Sequence, residues 1–122
     1  MIVLFNKPFN VLSQFTDNKN IIVSRGNLSD YIDVPNVYPA GRLDKDSEGL
    51  LILTDQGKLQ QKISDPKYKM TKTYWVQIEG NIAEDSLNNL RYGVQLKDGM
   101  TRKAIVKRIK QPHNLWLRKP PI

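Results

Sequence analysis

The sequence predicts an α+β fold, a mixed but mostly antiparallel sheet with a few short helices. Apolar and β-branched runs of strand length recur along the whole chain, while only two segments have clear helical spacing. Strands and helices also lack the regular βαβ alternation that builds a parallel sheet. The elements follow in order from the N-terminus. Residues 2–5 and 11–15 read as strands flanking an Asn6-Lys7-Pro8-Phe9-Asn10 turn. Residues 27–31 suit a short helix capped by Asn27 or Ser29. Residues 37–41 read as strand or loop, and 50–53 as a buried strand. Leu59 and Ile63 stand four apart on a helix that Pro66 must stop. Residues 73–78 are rich in β-formers and place Tyr74, Val76 and Ile78 on one face. Residues 83–92 read as a helix with Leu87 and Leu90 on one side, ended by Gly93. Residues 94–96, 104–109 and 115–117 follow as strands, with a hairpin at Lys97-Asp98-Gly99.

A chain of 122 residues, 39% hydrophobic, is long enough for one modest core. It contains no cysteine, which removes disulfides, thiolate metal sites and cysteine nucleophiles and agrees with a cytoplasmic setting. Residues 2–5 are too short an apolar run for a secretory signal or a membrane span, so no membrane partner is expected. One histidine, His113, excludes a multi-histidine zinc site and a Ser-His-Asp triad. The net charge of +7 is uneven. Residues 1–61 carry 6 basic and 7 acidic residues, and residues 62–122 carry 13 and 5. The basic clusters at 62–72 and 102–110 stand near Tyr68, Tyr74 and Trp75, a pattern that suits a polyanion with stackable bases as well as a plain solvated surface.

The densest chemistry lies in Gly41-Arg42-Leu43-Asp44-Lys45-Asp46-Ser47-Glu48-Gly49, directly before the apolar run Leu50-Leu51-Ile52-Leu53. Glycine at both ends permits turns that other residues resist, so Asp44 belongs on a loop carried by a rigid element. A solvated acidic turn is the default for such a run. A calcium loop would use the alternation Asp44, Asp46, Glu48, but the flanks do not read as helices and the twelfth position is Asp55 rather than glutamate. A nucleophilic aspartate is the third reading. An ordinary carboxylate is ionised at neutral pH and attacks an electrophilic carbon when held still and desolvated. Arg42 would then be a ready phosphate contact. Asp44 and Asp46, two apart in one loop, are poorly placed to flank a sugar as a glycosidase pair.

Motifs in four separated stretches of the chain tip this balance. Gly41-Arg42-Leu43-Asp44 with Ser47-x-Gly49-Leu50-Leu51 resembles the catalytic signature of pseudouridine synthases of the RsuA family. Asn6-Lys7-Pro8-Phe9-x-Val11-Leu12-Ser13 resembles that family's opening motif, and Lys72-Thr73-Tyr74-Trp75-Val76 its Lys-x-Tyr-x-Val motif. Gln14-Phe15-Thr16-Asp17 and Arg118-Lys119-Pro120-Pro121-Ile122 resemble the members acting on large-subunit ribosomal RNA. The resemblance runs from Ile2 to Ile122. It implies isomerisation of one uridine of that RNA to pseudouridine, with no metal or other cofactor. Asp44 would be the nucleophile, attacking C1′ of the sugar or C6 of the base. Tyr74 would stack on the flipped base, Arg42 would grip the neighbouring phosphate, and Lys72 would support RNA binding. Lys7 and Pro8 would shape the first turn without chemistry. The resemblance further implies one synthase domain over residues 1–122, cut short on its C-terminal side and without an N-terminal S4-type domain. Residues 1–122 alone would then be inactive and prone to self-association. A non-catalytic basic RNA-binding module is the alternative function.

Overall fold

A computed structural model describes residues 1–16 and 26–121. Asp17 and Ile122, the last residues of two of the motifs above, lie outside the described residues. The chain forms two compact units, Met1–Thr73 and Tyr74–Ile122.

The first unit is built on a three-stranded antiparallel sheet. Strand β1 (Ile2–Lys7) and strand β3 (Gly49–Thr54) pair along their whole length, from Ile2 opposite Thr54 to Lys7 opposite Gly49. The two-residue β2 (Tyr38–Pro39) pairs with the other edge of β3, so the order is β1-β3-β2. Side chains alternate across such a sheet. Leu51 and Leu53 face inward and join Leu28 and Val37 in the core, with Val3, Phe5, Phe15, Ile32, Val34 and Leu43 packed around them. Full burial of each leucine stabilises by about 1.5–3 kcal/mol. The opposite face of β1 and β3 leaves Ile2, Leu4 and Leu50 exposed. Helix α1 (Gly57–Ser64) follows β3, and Gln60 Nε2 donates to Pro39 O at 3.0 Å, tying the helix to β2. Asp65 caps its C-terminus, and Pro66 opens a 3-10 turn over Pro66–Tyr68.

Of the two predicted caps, Asn27 is the one used. Its side chain accepts from the Ser29 N–H while Asp30 accepts from the Asn27 N–H, a reciprocal capping box for the 3-10 helix Leu28–Asp30. Residues 11–15 differ from expectation. They form an isolated parallel bridge, Val11 with Gly26, and Leu12 N–H and Gln14 O bond Gly26 and Leu28 before the chain bends. The segment is thus pinned at one side, and its side chains are left to reach other parts of the unit.

In the second unit, helix α2 (Glu84–Tyr92) ends at Gly93, and β4 (Gln95–Leu96) pairs with β5 (Gly99–Met100) across the expected Lys97-Asp98 turn. The strands expected at 73–78, 104–109 and 115–117 form no ladder among the described residues. Tyr74, Trp75, Val76 and Ile78 are exposed. Around 104–106 the backbone is engaged by α2 instead: Ala104 N–H donates to Arg91 O, and Val106 O accepts from Arg91 Nε at 3.1 Å and Nη2 at 2.9 Å. Arg108 donates to Ile82 O, and Leu115 N–H turns back to Pro112 O. β-propensity describes a fit to a pleated surface, and around 104–106 the backbone groups are satisfied by Arg91 instead. The architecture is α+β, and its paired strands are antiparallel.

Candidate active site

The loop between β2 and β3 carries the site. It leaves one strand and enters another, not the two helices of a calcium-binding hand. Gly41 has φ +96° and Gly49 φ +124°, and an added Cβ would meet nothing within 4 Å at either position. Backbone conformation, not space, therefore demands glycine at both ends. Between them Ser47 N–H donates to Asp44 O at 3.0 Å, closing a tight turn.

Three side chains from β1 and the segment after it hold this loop. Lys7 is fully buried, because the register of β1 puts it opposite Gly49, where the loop enters β3. Its ammonium donates to Pro8 O at 2.8 Å, Val11 O at 2.8 Å and Lys45 O at 3.2 Å, one acceptor for each proton. Burial pushes its pKa below the ordinary lysine value, and the carboxylates of Glu48, Asp46 and Asp44 oppose that shift. Ser13 is also buried. Its Oγ donates to Leu43 O at 3.0 Å and accepts from Leu43 N–H at 3.1 Å. Gln14 Oε1 accepts from Arg42 Nη2 at 2.8 Å. Leu43 packs against the core, while Arg42 and Asp44 on either side are exposed.

The result is an open cleft of about 550 Å³ lined by Leu12, Ser13, Arg42, Leu43, Asp44, Lys45 and Asp46. It presents a carboxylate and a guanidinium two residues apart on a backbone fixed from behind. Such a pair suits a nucleophile beside a phosphate contact. No group of three or more His, Cys, Asp or Glu residues capable of holding a metal occurs among the described residues.

Of the residues named from sequence, Arg42 and Asp44 are brought together. Lys72 is exposed near the end of the first unit and does not line this cleft. Tyr74 opens the second unit with 62% of its surface exposed. Sequence reasoning gave Lys7 only a turn-shaping role and named Ser13 and Gln14 only as members of two motifs, without a role of their own. The bonds that tie Lys7 and Ser13 to the loop span 38 and 30 residues, a distance that no local pattern encodes.

The chain is similar to known proteins over nearly its whole length. The family model described as RNA pseudouridylate synthase matches residues 1–118. The ribosomal large subunit pseudouridine synthase E of Vibrio vulnificus (strain CMCP6) is 54% identical over 121 residues, covering 99% of this chain and 50% of that protein. The protein of the same description from Xanthomonas axonopodis pv. citri (strain 306) is 49% identical over 122 residues, covering 100% of this chain and 63% of that one. A crystal structure of a pseudouridylate synthase superposes with a TM-score of 0.76 at 26% identity, covering 89% of this chain and 46% of that chain. The chain thus spans about half to two-thirds of the length of these relatives.

Proposed function

The chain belongs to the RNA pseudouridylate synthase family, and from that premise we propose that the protein converts a uridine of large-subunit ribosomal RNA to pseudouridine, with Asp44 as the nucleophile. The observation that carries this reading is the placement of Asp44. It is exposed to the cleft beside Arg42, while both peptide planes of Leu43 are bonded to Ser13. A polyanion-binding surface alone gains nothing from a carboxylate at that point.

The reaction rearranges bonds without redox change. The C1′–N1 bond breaks, a C1′–C5 bond forms, the C5 proton passes to water and N1 takes up a proton. Asp44 supplies the electron pair that carries the intermediate. A uracil inside folded RNA must leave its stack to reach a carboxylate on a protein loop. Arg42 contacts the phosphate beside the flipped nucleotide, and its planar donor fork suits that task. Tyr74 offers an exposed ring for stacking, and base–aromatic stacking is worth about 1–3 kcal/mol. Lys72 contributes to the RNA surface. The same reading places the protein in the cytoplasm with ribosomal RNA as partner, and no helix among the described residues is long and apolar enough to cross a membrane.

The test is Asp44→Asn in the full-length protein, with tritium release from ribosomal RNA transcripts containing 5-tritiated uridine. The amide keeps the shape and loses the nucleophilic charge. Turnover should vanish while RNA binding persists. Near-normal release by this variant would overturn the reading in favour of another nucleophile, and absence of release by the unmodified protein would leave an RNA-binding module.

A further inference from the structure

Ser13 and Gln14 are adjacent, and each reaches a different residue of the Arg42-Leu43-Asp44 step. Leu43 O belongs to the peptide that joins Leu43 to Asp44, and Leu43 N to the peptide that joins Arg42 to Leu43. The Ser13 hydroxyl bonds both, as donor at 3.0 Å and as acceptor at 3.1 Å. Ser13 is 3% exposed, so water does not readily replace it. With the Leu43 side chain packed on the core, this hydroxyl fixes both peptides that lead into Asp44, while the Ser47 N–H and the Lys7 ammonium hold the backbone that follows. Gln14 acts on a side chain instead. It takes one donor of Arg42 at 2.8 Å and leaves the remaining N–H groups of the guanidinium available to a phosphate. Backbone bonds from the same stretch, Leu12 N–H to Gly26 O and Leu28 N–H to Gln14 O, hold both side chains in place.

We propose that Ser13 is a positioning residue for the Asp44 nucleophile and Gln14 a positioning residue for the Arg42 phosphate contact, so that adjacent residues govern the chemical step and the grip on RNA separately. This rests on the function proposed above. The two roles predict opposite kinetic signatures. A reacting group displaced by about 1 Å loses about a hundredfold in rate. Ser13→Ala should therefore lower kcat by about 10- to 100-fold with KM within about twofold. Gln14→Ala should raise KM and the Kd for RNA by about three- to tenfold. It should leave the salt dependence of binding intact, because Arg42 keeps its charge. Arg42→Ala should weaken binding and also reduce the slope of log K against log salt by about one.

The experiment is steady-state tritium release and RNA-binding titration across salt, with the full-length protein and a 5-tritiated-uridine transcript of large-subunit ribosomal RNA. Measurements are made at temperatures where circular dichroism shows each variant folded. Ser13→Thr keeps the hydroxyl at a position that borders the open cleft, so it should restore most of kcat. Ser13→Cys, a weak donor and acceptor of similar size, should fall between alanine and serine and serves if alanine or threonine fails to fold. A folded Ser13→Ala with wild-type kcat, or with its loss confined to KM, overturns the assignment of Ser13. A Gln14→Ala whose RNA affinity equals wild type overturns that of Gln14. Asp44→Asn is run alongside: if it turns over normally, the functional reading has failed, whereas an inactive Asp44→Asn beside a normal Ser13→Ala refutes this proposal alone.

Discussion

Replacing Lys7 with methionine should destabilise the first unit by about 2–4 kcal/mol. Methionine matches the four-atom stem of the side chain, with sulfur in place of one methylene, and lacks the ammonium. Three bonds disappear, to Pro8 O, Val11 O and Lys45 O. A hydrogen bond from a charged group contributes about 1.5–3 kcal/mol net. The Val11 bond is buried and counts in full, while the two part-buried bonds count for about half because water can reach their acceptors. The gross loss is then roughly 3–6 kcal/mol. Against it stands the cost of burying an ammonium, visible in the depressed pKa of Lys7, which the variant no longer bears. Urea unfolding followed by circular dichroism should show the midpoint falling at constant m-value. The pH dependence has a definite sign. The folded state binds the Lys7 proton less tightly than the unfolded state, so stability rises with pH between the depressed folded value and the ordinary 10.5. Below that window the unfavourable term is constant. The difference between wild type and Lys7→Met should therefore widen in favour of wild type as pH climbs through it. A loss below about 0.5 kcal/mol at neutral pH, where a surface substitution would fall, would refute the view of Lys7 as the buried anchor of the loop.

Further outcomes are equally specific. Gly49→Ala should cost about 1–3 kcal/mol in unfolding free energy, since a Cβ at φ +124° is strained although nothing obstructs it; a neutral result in urea titrations would show that the loop can relax. Replacing the exposed Lys103, Lys107 and Lys110 with alanine should reduce the salt slope of ribosomal RNA affinity by about two, since each phosphate that a lysine neutralises adds roughly 0.7 to it; an unaltered slope would make that strip a solvated surface only. Asp55 is held below the ordinary carboxylate value by its bond to the Met1 ammonium, so the pair's contribution is present above the usual aspartate pKa and fades as pH falls through the depressed one. Both partners are well exposed, 59% and 46%, so Asp55→Asn should lower the melting temperature only slightly at pH 7, and that difference should vanish in acid where the wild-type carboxyl is protonated; a difference that persists at low pH would contradict this.

Much of the architecture is written locally. The run Leu50-Leu51-Ile52-Leu53 between Gly49 and Thr54 leaves little choice but a central strand. Asn27 before Leu28, the Pro66 stop, Gly93 after α2 and the Lys97-Asp98 turn each act within a few residues, and each falls where expected. Residues 73–78 and 104–109 show the limit. Their side chains fit a strand, yet a ladder needs a second strand, and no short window states who the partner is. At 104–106 the answer is Arg91, an arginine on a helix whose spacing marks it only as polar. The site divides in the same way. Arg42 and Asp44 are legible because their motif and its glycines are contiguous. Lys7 and Ser13 show only as members of the opening motif, because the bonds that join them to the loop form when the chain returns 30 to 38 residues later.

The loop supports differ in what they touch. Lys7 and Ser13 bond carbonyl and amide groups of Lys45 and Leu43, groups that every residue except proline possesses. Asp44 thus sits in a mount that is largely blind to the side chains around it. The side chains of Lys45 and Asp46 can change without removing a bond that holds the proposed nucleophile. Proline at Leu43 is the forbidden choice, since it would remove the N–H that Ser13 accepts. Variation in specificity and constancy of chemistry can therefore coexist on one nine-residue loop.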